Sequence, residues 1–137
     1  MIPKLRIVPL GGLGEIGKNM TVFEYGDSII IIDAGIMFPE NDMLGIDTII
    51  PDYKYLEDKF DNIEAIFITH GHEDHVGALQ HLMRDVDAPI YATPLTLGLI
   101  EGKLRQAKLL HEADLRRIDA GETYQIGPFK VEPFHVA

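Results

Sequence analysis

The sequence predicts an α/β fold, and three stretches carry that prediction. Ser28-Ile29-Ile30-Ile31-Ile32-Asp33 is apolar on both faces, as expected of a strand covered on both sides. Ala65-Ile66-Phe67-Ile68-Thr69 is a second such run. Helical spacing follows it, with apolar residues at Val76, Leu79, Leu82 and Met83. Asp87-Ala88-Pro89-Ile90-Tyr91-Ala92 reads as a short strand of parallel type. Thr93-Pro94 after it is an N-cap and N1 pair, opening a helix from Leu95 to about Lys108.

The remaining elements follow in order. Lys4-Leu5-Arg6-Ile7-Val8-Pro9 alternates and ends in glycines, so it predicts a strand. Gly12-x-Gly14-x-x-Gly17, with Asp33 about twenty residues on, matches a dinucleotide fingerprint. That fingerprint needs a helix opening at the glycines, so that N–H groups meet the pyrophosphate. Here the glycines lead into Met20-Thr21-Val22-Phe23-Glu24-Tyr25, a β-type run, and Gly26-Asp27 turns it back. The glycines therefore predict a tight strand connection and no nicotinamide cofactor. The stretch 36–51 lacks periodicity and contains Pro39, Gly45 and Pro51, so it predicts a loop. Its acids Glu40, Asp42 and Asp47 have no histidine partner and read as solvated.

Asp52 is placed to cap a short helix from Tyr53 to about Phe60. Lys103, Arg105 and Lys108 stand near the end of the later helix, where cations suit the dipole. Beyond Asp114, three runs predict an antiparallel meander: Leu115 to Ile118, Thr123 to Ile126 and Phe129 to Phe134. Asp119-Ala120-Gly121-Glu122 and Gly127-Pro128 are its turns.

Composition bounds the chemistry. The 137 residues are one domain's worth, and 46% apolar content suffices for a core. No run approaches the roughly 18–20 apolar residues of a membrane span, and no basic-then-apolar leader suggests secretion; the absence of cysteine is compatible with a cytoplasmic home. There is no cysteine, so disulfides and thiolate metal sites are excluded. Twelve basic against twenty-two acidic residues give a net charge of −10, which argues against a nucleic-acid partner unless the basic groups of a substrate track lie outside this segment.

The chemistry concentrates in Thr69-His70-Gly71-His72-Glu73-Asp74-His75. Three imidazoles and a carboxylate stand within six residues, directly after an apolar strand. These donors suit Zn²⁺ and its neighbours. His70 and His72, two apart, can grip one ion, and the adjacent Asp74 and His75 then face a second. Asp33, a carboxylate at the mouth of a buried strand, either caps its own turn or fixes a ligand's tautomer. His81 lies off the face of His75 and reads as a packing or surface residue.

His-x-His-x-Asp-His after an apolar strand resembles the signature of the metallo-β-lactamase superfamily. The runs Pro9-Leu10-Gly11-Gly12-Leu13-Gly14-Glu15-Ile16-Gly17-Lys18-Asn19-Met20, Asp33-Ala34-Gly35 and Phe38-Pro39-Glu40-Asn41-Asp42-Met43-Leu44-Gly45 are similar to the ribonuclease J family of the β-CASP branch. The resemblance implies an αββα sandwich, of which residues 1–137 are the amino-terminal part, with the β-CASP domain and remainder beyond it. It also implies RNA phosphodiester hydrolysis, endonucleolytic and 5′-to-3′ exonucleolytic, by a cytoplasmic homodimer or tetramer.

Two divalent metals are implied, zinc first, with manganese or magnesium as variants. His70, His72, Asp74 and His75 are the implied ligands, Asp74 doubling as proton acceptor, and Asp33 supports them. Val131-Glu132-Pro133-Phe134-His135-Val136-Ala137 is similar to the strand before the family's third metal motif. His135 falls three residues ahead of the expected ligand position. The ligand set is therefore incomplete here, and the segment alone is expected to be inactive. The His cluster by itself also suits a small-molecule hydrolase of the same fold, acting on a thioester, lactone or β-lactam, or a non-catalytic half-domain.

Overall fold

The computed structural model describes residues 2–37, 45 and 48–136. Glu40, Asp42 and Asp47, and all but the last residue of the 38–45 stretch, lie outside the described residues. One six-stranded sheet organises the rest. Its strands are β1 (Leu5–Gly11), β2 (Met20–Tyr25), β3 (Ser28–Ile32), β4 (Ile63–Phe67), β5 (Ile90–Ala92) and β6 (Leu115–Arg117), in that spatial order. The first three pair antiparallel, and β3 through β6 pair parallel. A separate antiparallel hairpin, β7 (Tyr124–Ile126) with β8 (Phe129–Val131), forms a second sheet.

The isoleucine run shows why β3 is central. Successive side chains of a strand point to opposite faces. Ile29 and Ile31 enter a large core with Leu56, Ile66, Leu79, Leu82, Ile100 and Leu104. Ile30 enters a smaller one with Ala65, Phe67, Tyr91 and Ile118. Helices cover the first face; Tyr124, Ile126, Phe129 and Val131 of the hairpin pack against the second. Burying each isoleucine is worth roughly 1.5–3 kcal/mol, so both faces stabilise the strand. The pairing Phe67↔Tyr91 places two rings in a stack with centroids 5.0 Å apart on the hairpin side.

The helices are α1 (Glu73–Val76), α2 (Leu79–Leu82) and α3 (Pro94–Gln106). Among the described residues, no helix is long and apolar enough to cross a membrane. Pro94 opens α3 as its composition predicts, and the Thr93 carbonyl accepts the Leu97 N–H at 2.9 Å. The glycines after β1 lead through bends into β2, with no helix between.

Three expectations are corrected. The helix foreseen from Tyr53 is instead two 3₁₀ turns, Lys54–Leu56 and Phe60–Asn62. Their hydrogen bonds run from each N–H to the carbonyl three residues back, as at Leu56→Tyr53 and Asn62→Lys59. So short a segment gains too little from helix propagation and follows its buried side chains, chiefly Leu56. β6 belongs to the main sheet, parallel to β5, and not to an antiparallel meander. The α3 crossover returns the chain in the same direction as β5, which alternation alone cannot disclose. The strand expected through Phe134 ends at Val131.

A polar cluster sits under the helical face of β2. Glu24 is buried; it accepts a hydrogen bond from the Tyr55 hydroxyl at 2.5 Å and from Lys59 Nζ at 3.3 Å. Burial pushes the Lys59 pKa down, but the bonds to Glu24 and Tyr55 outweigh it and hold the ammonium above its ordinary value. Glu24→Ala strips two donors of their acceptor. We expect urea denaturation to show a loss of about 1–3 kcal/mol, and a smaller loss for Glu24→Gln, which still accepts from Tyr55. An unchanged midpoint for the alanine variant would refute this account of the cluster.

Candidate metal centre

The parallel pairing of β3 with β4 sets two strand ends side by side, and the site grows from them. Asp33 follows β3 and its N–H bonds the Phe67 carbonyl at 2.8 Å, holding it beside the end of β4. Its φ is +67°, in the left-handed region that aspartate tolerates better than most residues. This backbone turn leaves the carboxylate buried under the residues that follow β4.

Both Asp33 oxygens are used. Oδ1 accepts the Thr69 N–H at 2.8 Å; Oδ2 accepts the Thr69 hydroxyl at 2.8 Å and His75 Nδ1 at 2.7 Å. A carboxylate has no hydrogen to give, so the proton of that last bond sits on His75 Nδ1 and Nε2 is unprotonated, with Asn19 Nδ2 3.4 Å from it. Thr69 extends the logic. Its hydroxyl hydrogen is spent on Asp33, so its oxygen can only accept from His70 Nδ1, 3.0 Å away. His70 thus also presents a bare Nε2. Burial, and then the neighbouring His75, lower the His70 pKa below its ordinary value, favouring the neutral ring that a metal needs.

His70, Asp74 and His75 come together, each offering a donor atom within 4.8 Å of the others. Asp74 Oδ2 lies 3.5 Å from His75 Nε2, and the His70 and His75 ring centroids are 3.7 Å apart. The grouping differs from the sequence expectation, which set His70 with His72 and Asp74 with His75. His72 is exposed and outside that three-residue cluster; its ring stands edge-on to His70 with centroids 4.9 Å apart. Glu73, the remaining acid of the motif, is held by Lys103 of α3. His135 is exposed beyond β8 and is not among the three clustered donors. His81, in α2, is not among them either.

The motif does not place its helix after His75, as the spacing suggested. Asp74 and His75 themselves lie in α1, and the helix is interrupted at Gly77 and Ala78. The cause is competition for carbonyls. In a continuous helix the Asp74 carbonyl would take the N–H four residues on. Here it accepts the Asn19 backbone N–H at 3.1 Å and the Asn19 side-chain Nδ2 at 2.8 Å. The N–H of Ala78 turns to the Ala34 carbonyl at 2.7 Å, and the His75 carbonyl takes the Ala34 N–H at 2.8 Å. Ile36 N–H bonds the Glu73 carbonyl at 2.9 Å.

This backbone lacing demands close approach. A Cβ on Gly35 would fall on the Asp74 carbonyl, so only glycine fits there. Sequence reading singled out His70, His72, Asp74, His75 and Asp33 but passed over Thr69 and Asn19. Neither belongs to a spacing rule; an Asn two residues past the last glycine of a loop carries no local signal.

Residues 13–135 match the metallo-beta-lactamase superfamily. The chain is similar to Ribonuclease J 1 of Streptococcus pyogenes, 54% identical over 82% of this chain and 20% of that protein. It is also similar to Ribonuclease J2 of Bacillus subtilis, 45% identical over 95% of this chain and 23% of the relative. The chain therefore spans about a fifth of the length of the curated relatives it matches. Among solved structures, a B3 metallo-beta-lactamase with an active-site glutamic acid superposes with a TM-score of 0.56 at 20% identity, over 90% of this chain and 47% of that one. The likeness is of fold. By sequence match across nearly its whole length, this chain belongs to the metallo-beta-lactamase superfamily.

Proposed function

We propose that residues 1–137 are the amino-terminal part of a metallo-β-lactamase domain in an RNA-cleaving phosphodiesterase of the ribonuclease J kind. One observation carries the metal reading: Asp33 and Thr69 accept from the Nδ1–H groups of His75 and His70, leaving the Nε2 atoms as the lone-pair atoms beside the Asp74 carboxylate. The RNA reading rests on the similarity to proteins named ribonuclease J.

The donor set fits divalent metal. Two neutral imidazoles and a carboxylate are the ligand types of zinc sites without cysteine, and manganese or magnesium fit less well as the share of nitrogen rises. In this proposal two ions are held by His70, Asp74 and His75, with His72, edge-on to His70, as the fourth ligand. A divalent ion there supplies Lewis acidity toward a phosphodiester oxygen and acidifies water.

The protein's own residues do the rest. Asp33 holds the His75 ring in one tautomer and one orientation. Asp74 accepts a proton from the attacking water as the water oxygen joins phosphorus; the bond from phosphorus to one ribose oxygen breaks, and that oxygen leaves as a hydroxyl, its proton returned from Asp74 or taken from solvent. Charge decides where RNA is gripped. A segment of net charge −10 has few cations to spare, so phosphate contacts come from other parts of the longer protein. The 137-residue chain by itself is then an incomplete site with little turnover. Endonucleolytic and 5′-to-3′ exonucleolytic cleavage, a cytoplasmic location and a homodimeric or tetrameric state belong to this proposal for the longer protein.

Three measurements test it. Elemental analysis of the purified chain after zinc loading should find zinc, at most two per chain, and His75→Ala should remove most of it; a wild-type chain free of metal would sink the site. Gly35→Ala drives a methyl group into the Asp74 carbonyl, so zinc should be lost while the circular dichroism of the sheet persists. Equal zinc in that variant would mean the loop is not held as described. For the longer protein, cleavage of a short RNA should stop with chelator and resume with added zinc or manganese. Turnover indifferent to chelator would defeat the nuclease mechanism.

A further inference from the structure

The glycine-rich loop is left without a role once the dinucleotide reading fails, and the structure gives it one. Asn19 closes that loop. Its backbone N–H and its side-chain amide both donate to one atom, the Asp74 carbonyl oxygen, at 3.1 and 2.8 Å. A carbonyl has two lone pairs, and Asn19 fills both. The same Nδ2 lies 3.4 Å from His75 Nε2, and the Asn19 carbonyl accepts the Gly35 N–H at 2.9 Å. One side chain therefore touches Asp74 and His75 together, two of the three clustered donors.

Room for that side chain comes from Gly12. Its φ is +90°, and a Cβ there would stand 2.5 Å from Asn19 Oδ1. Any other residue would push the carboxamide off the Asp74 carbonyl. Gly11 plays a similar part for the backbone beside it, since a Cβ would collide with the Lys18 carbonyl. The glycines act as clearance, letting the segment before β2 press against the motif loop.

We infer that Asn19 is a positioning residue of the metal centre: by saturating the Asp74 carbonyl it opens the helix after residue 74 and aims Asp74 and His75 at the cluster, with Gly12 clearing its place. This rests on the metal-binding reading of His70, Asp74 and His75. Without the Asn19 side chain, the Asp74 carbonyl keeps the Asn19 backbone N–H but has one lone pair open to the Ala78 N–H, and α1 and α2 can merge into one helix. The Asp74 and His75 side chains then rotate with the helix.

The test compares wild type, Asn19→Ala, Asn19→Ser, Gly12→Ala and the Asn19→Ala/Gly12→Ala double variant. Zinc affinity is read by competition with a chromogenic chelator. Loss of an outer partner of a metal ligand typically weakens binding about 10–100-fold, so at least a tenfold loss is expected for each single variant. Gly12→Ala also strains the backbone at φ +90°, so the part that runs through Asn19 is read as a loss in the double variant smaller than the sum of the two single losses. Asn19→Ser, whose hydroxyl is too short to reach, should match the alanine variant and serves if the latter folds poorly.

Wild-type affinity in both Asn19 variants overturns the inference, and additive losses overturn the part given to Gly12. Amide exchange in the metal-free chain separates this from the metal reading itself. Asn19→Ala should speed exchange at Ala34 and Ile36, which bond the motif loop, by about tenfold or more. If wild type binds no zinc, the metal reading fails, and unchanged exchange at those two amides then overturns the positioning role as well.

Discussion

The buried carboxylate of Asp33 is the interaction on which this structure's chemistry depends. Taking a carboxylate out of water costs several kcal/mol unless its oxygens are hydrogen-bonded. Here three donors meet two oxygens, and two of those donors come from the one residue, Thr69. The left-handed backbone at Asp33 is an added cost that an isolated turn would not sustain. The structure sustains it because Asp33 is fixed on both sides, by β3 before it and by the Phe67 carbonyl beside it. The outcome is that a strand end dictates the protonation pattern of two histidines that lie some forty residues away in sequence.

The position of that carboxylate follows from sheet topology. Parallel strands end on the same side, and polar residues that follow them collect at one edge. β3 and β4 are neighbours in register from Ile30↔Ala65 to Ile32↔Phe67, so Asp33 and the residues after Phe67 leave the sheet together. Two cores hold this register. The alternation of Ile29 to Ile32 sends side chains into both, and a slip by one residue would exchange every one of them. Rigidity of the sheet is thus transmitted to the site through one buried side chain.

A second layer of support is made of backbone. Asn19 and Ala34 bond the carbonyls of Asp74 and His75 and the N–H of Ala78, which a helix would otherwise pair internally, and Ile36 adds a second bond to the Glu73 carbonyl that already takes the Gly77 N–H. The motif is therefore a helical turn pried open by its neighbours. Such lacing brings main chains within contact distance, and this explains why glycine recurs at 12 and 35 where a Cβ would strike Asn19 and Asp74. Of the glycines that imitate a cofactor fingerprint, Gly12 and Gly17 meet close neighbours where a Cβ would stand, while Gly14 meets none.

Much of this was legible in the sequence. The strands β1 to β5, the α3 helix with Thr93-Pro94 at its start, and the α/β class all followed from periodicity, since burial on two faces or one face imposes it locally. The donor types of the metal motif were equally local, and the superfamily could be named from them. What only tertiary structure decided was pairing. Alternation at Leu115 to Ile118 marks a strand but not its partner, and that partner proved to be β5, parallel, inside the main sheet. Spacing offered His72 as the companion of His70, whereas the fold brought Asp74 and His75 to it, because helical turning of α1 sets which side chains share a face. The roles of Thr69 and Asn19 were invisible in advance for the same reason. A hydrogen bond between residues 19 and 74 depends on two distant segments meeting, and only the folded chain brings them together.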